Sequence, residues 1–496
     1  MEVARLLNNA AKKNPHKNAI IFEGKSISFS QLRDLVFCLA NGLEALGLEK
    51  DVKVAVYLPN IPEYIYSYFA VYSIGAVIVP LDFSFTQAEL ESLIRHSDAE
   101  ILIAQEKKDI DLKALKENLG LKQIVLLGDH QDFINFSDLI KKNPCREPEA
   151  EISDADHSTI FYTSGSTGHP KGVLWNYRHL DSPAKAVEYF LHLSGEDTML
   201  CPIPFSHAAG LVFALFMLYF RFTLVVQKRF SPLESLKDIE RHGIVFICLV
   251  PSMYIAMLSI KEFKKFHLKS LKYAVVFGAP SSPMLLRRFH QACPEAHLLN
   301  GWGMTETSPP NAVTPLGSQK IESIGKPIPW LEVRICEEGG RSMPAGEIGE
   351  LAVRGWPVML GYYKEPELTK RVIRDGWFYT GDSARIDSEG FIYIVGRKNE
   401  MIKVAGERVH APEIEDVIHR RPEVSEVAVI GVADKLRGEV PKAFLVLKKG
   451  KKITENELRY FCREHLAHFK IPHYFEFRDS LPKTRSGKID KASLAQ

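Results

Sequence analysis

Several marks of other protein classes are missing from this sequence. None of its seven cysteines (Cys38, Cys145, Cys201, Cys248, Cys293, Cys336 and Cys462) stands in a Cys-x-x-Cys pair. That spacing excludes a zinc ribbon, and the odd, scattered set predicts free thiols in a reducing compartment. The formal net charge is only +2 over 496 residues, with no basic domain, which argues against nucleic acid as a partner. A membrane helix needs about 20 apolar residues. The longest such run, Gly210 to Phe220, has eleven before Arg221 interrupts it, so it reads as a buried helix. Charged residues at Glu2, Arg5, Lys12 and Lys13 leave no room for a secretory signal. Repeats and low-complexity tracts are absent too. These exclusions leave a soluble, cytoplasmic globular protein with no transmembrane segment. Its 46% hydrophobic and 25% charged residues are ordinary, and its length implies two or more domains.

Apolar periodicity supplies the organisation. From Ser30, residues Leu32, Leu35, Val36, Leu39, Leu43 and Leu46 recur at three and four, predicting an amphipathic helix that Gly47 ends. Val52 to Leu58 predicts a buried strand, Ile61 to Ile74 a helix, and Ala76 to Val79 another strand. The alternation returns at Ile244–Val250 and Tyr273–Phe277, so the class is α/β, with parallel sheets covered by helices. After residue 320, Leu331, Val333 and Ile335 alternate with polar neighbours, which predicts antiparallel hairpins in a small β subdomain. Beyond Lys398 the pattern becomes α+β, with strands at Val424–Val432 and Ala443–Leu447. A capping box at Thr454 and Glu457 opens one of its helices. This last region holds 20 Lys/Arg against 15 Asp/Glu, a balance of +5 that leaves −3 for the rest.

The chemistry concentrates in one loop. Tyr162-Thr163-Ser164-Gly165-Ser166-Thr167-Gly168-His169-Pro170-Lys171-Gly172 packs five hydroxyls and three glycines between two apolar segments. Glycines let backbone N–H groups converge on an anion, hydroxyls add donors, and lysine adds charge. Composition alone also permits a solvated surface turn. The Walker arrangement of Gly-Lys-Ser/Thr is not met, which disfavours an ordinary P-loop NTPase.

This loop resembles the phosphate loop of the adenylate-forming enzymes, the superfamily of acyl-CoA synthetases, luciferases and peptide-synthetase adenylation domains. Ser166 stands where the family usually has threonine and keeps the hydroxyl. The resemblance extends over nearly the whole chain. It implies a large adenylation domain at 1–397 holding ATP and the acyl pocket. A small mobile domain at 398–496 would carry the catalytic lysine and rotate about a hinge near Asn399. In Asn300-Gly301-Trp302-Gly303-Met304-Thr305-Glu306 it implies an adenine-stacking Trp302, with Thr305 and Glu306 near the phosphates. Thr163 and Glu306 would hold Mg²⁺, which favours few carboxylates plus phosphate oxygens. Thr163, Lys171, His207, Glu306 and Lys488 are the implied catalytic residues. Asp382 would accept from the ribose hydroxyls with Arg397 beside it, and Gly278, Ala279, Pro280 and Lys403 complete the nucleotide set.

Which acid is activated is read from fewer residues. The segment from Cys201 to Gly210 presents Ser206 and His207 and no carboxylate, which disfavours an amino-acid substrate. His207, Ala208, Gly210, Leu211, Phe277, Gly278 and Gly303 form the implied acyl pocket. Gly303 stands where acetate enzymes place a tryptophan, and its missing side chain predicts an open tunnel. Burying each methylene there contributes about 0.8 kcal/mol. The resulting expectation is an AMP-forming fatty-acid–CoA ligase using ATP, Mg²⁺ and coenzyme A. An aryl-acid CoA ligase of the coumarate or succinylbenzoate kind, a ligase loading a carrier protein, and a non-catalytic nucleotide or acyl sensor stay open. So do peripheral membrane contact and a monomeric or homodimeric state.

Overall fold

A computed structural model describes residues 2–495 except 164–169, 280, 282, 338, 405–406, 435–436 and 485–486. Among the described residues, four sheets organise the fold. An eight-stranded sheet has the spatial order Gly361–Tyr362, Lys171–Asn176, His157–Thr163, Val77–Asp82, Lys53–Leu58, Ala99–Gln105, Gln123–Leu127, Ile134–Asn135. Its interior pairs are parallel, whereas Lys171–Asn176 runs antiparallel to both neighbours. In a nine-stranded sheet, Thr198–Cys201, Thr223–Val226, Phe246–Leu249, Tyr273–Val276 and His297–Trp302 run parallel. The five-stranded subdomain is antiparallel throughout and includes Leu331–Cys336, Gly349–Gly355, Trp377–Ile386 and Ile392–Arg397. A last sheet, built around Val424–Asp434 and Gly438–Leu447, lies wholly within residues 401–477.

The two large sheets are joined by a helix whose polarity is concealed. Pro62–Ile74 is buried on nearly every side, as befits its mostly apolar residues. Three of its four tyrosines, Tyr64, Tyr68 and Tyr72, recur every fourth residue and so share one face. Tyr64 donates to the Val56 carbonyl at 3.1 Å, Tyr68 to the Phe205 carbonyl at 2.7 Å, and Tyr72 pairs with Thr159 Oγ1 at 2.7 Å. These three phenols are thereby satisfied, which a buried hydroxyl requires. The apolar run read as a buried helix is one, Ala208–Phe220. Among the described residues no helix is long and apolar enough to cross a membrane.

One expectation fails. Cys38 and Cys145 form a disulfide, while the other five cysteines are free. Cys38 sits on the helix Phe29–Ala45, which packs so closely on Leu139 that a Cβ at Gly42 would stand 2.6 Å from its Cγ. Asn41 bonds the carbonyl of Arg146 at 2.8 Å and anchors the returning segment beside it. The pair is 107 residues apart in sequence, so spacing gives no sign of it.

Candidate active site

Thr163 ends one strand and Lys171 begins the next, and the two are direct partners across the hairpin. The loop between them falls at 164–169, so Ser164, Gly165, Ser166, Thr167 and Gly168 lie outside the described residues, as do Pro280 and the side chain of Asn399. Beyond this hairpin, the strand ends at Trp302 and Arg397, the mid-strand Asp382 and one late loop converge.

Trp302 closes the strand His297–Trp302 and is 9% exposed. Its indole N–H donates to Asp382 Oδ2 at 2.9 Å, and Arg397 Nε approaches Asp382 Oδ1 at 3.0 Å. Asp382 and Arg397 face each other across adjacent strands. Arg397 also donates to the Thr380 carbonyl at 3.1 Å. Burial pushes the Asp382 carboxyl up, against the pull of Arg397, the Trp302 bond and Lys488. Each carboxylate oxygen has one donor, and a carboxylate offers about four lone-pair sites. Capacity for further donors therefore remains.

Glu306, in the turn Thr305–Thr307, is buried at 8% exposure. Burial raises its pKa, opposed by the Tyr362 hydroxyl bond and by Arg397 and Lys171. The Tyr362 hydroxyl donates to Glu306 Oε1 at 3.1 Å. The turn is held at Thr305, whose carbonyl accepts from the Trp175 indole at 2.8 Å.

Lys488 reaches this cluster from the C-terminal region. Its Cε lies 3.8 Å from where a Cβ on Gly278 would stand, and Ser252 Oγ donates to the Gly487 carbonyl at 2.9 Å. Gly278 has φ +84°, a conformation that glycine adopts without strain. Burial and then Arg397 lower the Lys488 pKa, while Asp382 and Glu306 raise it. Lys171, Arg397 and Lys488 gather beside Asp382 and Glu306, a set of cations suited to an anionic ligand.

His207 precedes the helix Ala208–Phe220. By surface area the residue is exposed, although neighbouring atoms crowd around its ring. Burial and the Lys488 charge push its pKa down to about 4, with Asp82 acting oppositely. The preceding loop is fixed to the other sheet. Asn60 accepts from the Phe205 N–H at 2.8 Å and donates to the Gln227 carbonyl at 2.7 Å. Ser206 donates to Asp82 at 3.3 Å.

Several expected residues are placed differently. A Cβ at Gly303 would stand 2.5 Å from Pro309 Cβ, 2.8 Å from Asn311 Oδ1 and 3.1 Å from Phe277 Cζ. The space that a side chain would take is filled, so this glycine fronts no open tunnel in that direction. At Gly210 a Cβ would meet the Pro204 carbonyl oxygen, and Leu211 is wholly buried in the core. Ala208 is buried as well, and Phe277 is partly buried. Asn300 is buried with both backbone groups bonded to Thr314, while Gly301 packs on Phe277. Met304 closes the same turn through its N–H to Thr307 Oγ1. Lys403 is exposed on Met401–Val404, with its N–H on Glu439 at 2.9 Å, and makes no described bond to the cluster. Tyr362, Ser252 and Asn60 escaped the sequence reading. Each acts through a contact distant in sequence and belongs to no chemical motif.

The family now follows. The profile of the AMP-binding enzymes matches residues 7–363, and that of the AMP-binding enzyme C-terminal domain matches 413–488. The chain belongs to the AMP-binding enzyme family. It is 32% identical to a long-chain-fatty-acid–CoA ligase of Bacillus subtilis strain 168, over 99% of this chain and 93% of that one. It is 34% identical to a feruloyl-CoA synthase of Amycolatopsis sp, over 98% and 96%. Among solved structures it resembles the anthranilate CoA ligase AuaEII in complex with anthranoyl-AMP, at TM-score 0.94, 26% identity and coverage of 100% and 96%. ATP-bound MatB from Rhodopseudomonas palustris matches at TM-score 0.93 and 29% identity, over 99% and 98%. The α/β fold, with its large N-terminal region of sheets and helices and smaller C-terminal region, is that of adenylate-forming enzymes. The protein is an acyl-CoA ligase of the AMP-forming acid–thiol class, a chemistry that uses ATP, Mg²⁺ and coenzyme A.

Proposed function

We propose that this ligase activates an apolar carboxylic acid in two steps at the cluster around Asp382. The acid's carboxylate attacks the α-phosphorus of ATP, forming acyl-AMP and expelling pyrophosphate. The thiol of coenzyme A then attacks the acyl carbon, losing its proton and releasing AMP. The observation that carries this reading is the approach of Lys488 to Asp382, Glu306 and Arg397. A lysine there neutralises charge as the carboxylate and α-phosphate meet, the differential stabilisation that accelerates a step.

The donor set fits the absent groups. Asp382 has lone pairs left for ribose hydroxyls, and Trp302 offers an aromatic face whose edge is already pinned. Glu306 is a hard oxygen ligand next to Lys171. Among the described residues no three His, Cys, Asp or Glu gather as a metal cage. Glu306 would thus share Mg²⁺, with Thr163 beside it, with nucleotide phosphates, the usual habit of that ion. Bound Mg²⁺ would offset phosphate charge. The chain's own residues hold the nucleotide, and His207, uncharged at neutral pH, borders the acid.

We take residues 1–397 as the nucleotide and acid domain and 398–496 as the domain delivering Lys488, turning near Asn399 between half-reactions. A monomer or homodimer in the cytoplasm completes the reading. A fatty acid is the first choice of substrate, by analogy with the Bacillus subtilis ligase. Filled space at Gly303 favours a second, a compact aryl acid, in line with the feruloyl and anthranilate enzymes. A panel of fatty and aryl acids, scored by AMP release with and without coenzyme A, decides between them. Thiol-dependent turnover of at least one apolar acid is expected; turnover of amino acids alone would overturn the proposal.

A further inference from the structure

Tyr362 touches two residues of the site and belongs to neither of their loops. It lies in the two-residue strand Gly361–Tyr362, paired with the strand that begins at Lys171. Its backbone N–H donates to Thr369 Oγ1 at 2.9 Å, and the residue is 7% exposed. The side chain is fixed at both its ends. The hydroxyl donates to Glu306 Oε1 at 3.1 Å, and the Lys171 ammonium stands 5.3 Å from the ring centroid.

We propose that Tyr362 is a positioning residue for both partners of the metal and the phosphates: its hydroxyl orients Glu306, and its ring confines Lys171. The proposal rests on the reading of Glu306 as a metal ligand and Lys171 as a phosphate ligand. The phenol's bond to Oε1 sets the carboxylate's orientation and leaves its other lone pairs to face a cation. The ring acts separately, because an ammonium over a π-face is attracted to it and restricted in position. One side chain thereby sets the geometry of a cation ligand and of a cationic ligand.

The two contacts separate by substitution. Tyr362→Phe keeps the ring over Lys171 and removes the hydroxyl; Tyr362→Leu removes both. The measurement is calorimetric ATP binding to the full-length protein, with and without Mg²⁺, alongside a thermal melt. Losing a partner that orients a metal ligand typically costs about 10–100-fold in metal affinity. Tyr362→Phe should therefore lose about 10-fold or more of the Mg²⁺-dependent tightening and keep its metal-free ATP affinity. Tyr362→Leu should lose metal-free affinity as well. If Tyr362→Leu fails to fold, the Phe variant alone decides. Wild-type Mg²⁺ dependence in Tyr362→Phe, or an equal loss with and without the ion, overturns the proposal. Glu306→Gln distinguishes the layers beneath it. If Gln abolishes the Mg²⁺ effect and Phe does not, only the role of Tyr362 falls; if Gln leaves the effect intact, the reading of Glu306 falls with it.

Discussion

The indole N–H of Trp302 and the carboxylate of Asp382, 80 residues apart in sequence, are joined by a 2.9 Å hydrogen bond. The residue read as the adenine platform is thus tied to the residue read as the ribose acceptor. Because the tryptophan can only donate and the carboxylate can only accept, the bond fixes the plane of the ring relative to Asp382. Tyrosine in the same place has its polar atom at a different reach, so the pairing is particular to tryptophan.

Asp382→Ala should weaken ATP binding twice, by removing the ribose acceptor and by freeing Trp302. A hydrogen bond to a charged group contributes about 1.5–3 kcal/mol, so a loss of roughly 10–150-fold is expected by calorimetry. Trp302→Phe keeps the stacking face but not the N–H, and should cost less. Unchanged ATP affinity in a folded Asp382→Ala variant would contradict the assignment.

Gly303 leads to a different expectation from the one its sequence context suggests. With Pro309, Asn311 and Phe277 around it, Gly303→Trp overpacks a filled space, at a cost of roughly 1–3 kcal/mol. Activity should fall alike for short and long acids, with a lower melting temperature. A selective loss of long acids at unchanged stability would restore the tunnel.

His207 sets a pH dependence. The unfolded chain protonates this histidine near 6.5 and the folded protein only near 4. The unfolded state therefore binds more protons between those values, and stability is lost as the pH falls from about 6.5 toward 4. His207→Asn should soften that decline. In isotope-labelled protein, His207 should be neutral at pH 5.5, and Lys488→Ala should raise its pKa by removing a nearby cation. An imidazolium at pH 5.5 would count against this environment.

Legibility followed the range of the interactions. The strand Val52–Leu58 and the helix Ile61–Ile74 were readable because their apolar patterns are local, and they appear as Lys53–Leu58 and Pro62–Ile74. The capping box at Thr454 forms as its spacing implies. Trp302 and Glu306 stand out through resemblance because both lie in the string Asn300 to Glu306, and the same resemblance points to Asp382 and Lys488. Tyr362 did not, because its partners are 56 residues away at Glu306 and across a strand pairing at Lys171. The Cys38–Cys145 bridge was hidden for the same reason: helix packing, not spacing, creates it. Gly303 misled because a missing side chain looks like room, and only the neighbours reveal whether the room is occupied.

The central claim is that Lys488 serves acyl-adenylate formation from a separate part of the chain. The most direct measurement compares the two half-reactions in Lys488→Ala. Pyrophosphate release from ATP and acid reads the first; thioester formation from supplied acyl-adenylate and coenzyme A reads the second. Removing one preorganised electrostatic partner typically costs about 10²–10³ in rate, and that loss is expected in the first half-reaction with the second largely spared. Equal damage to both, or none to adenylation, would contradict the account.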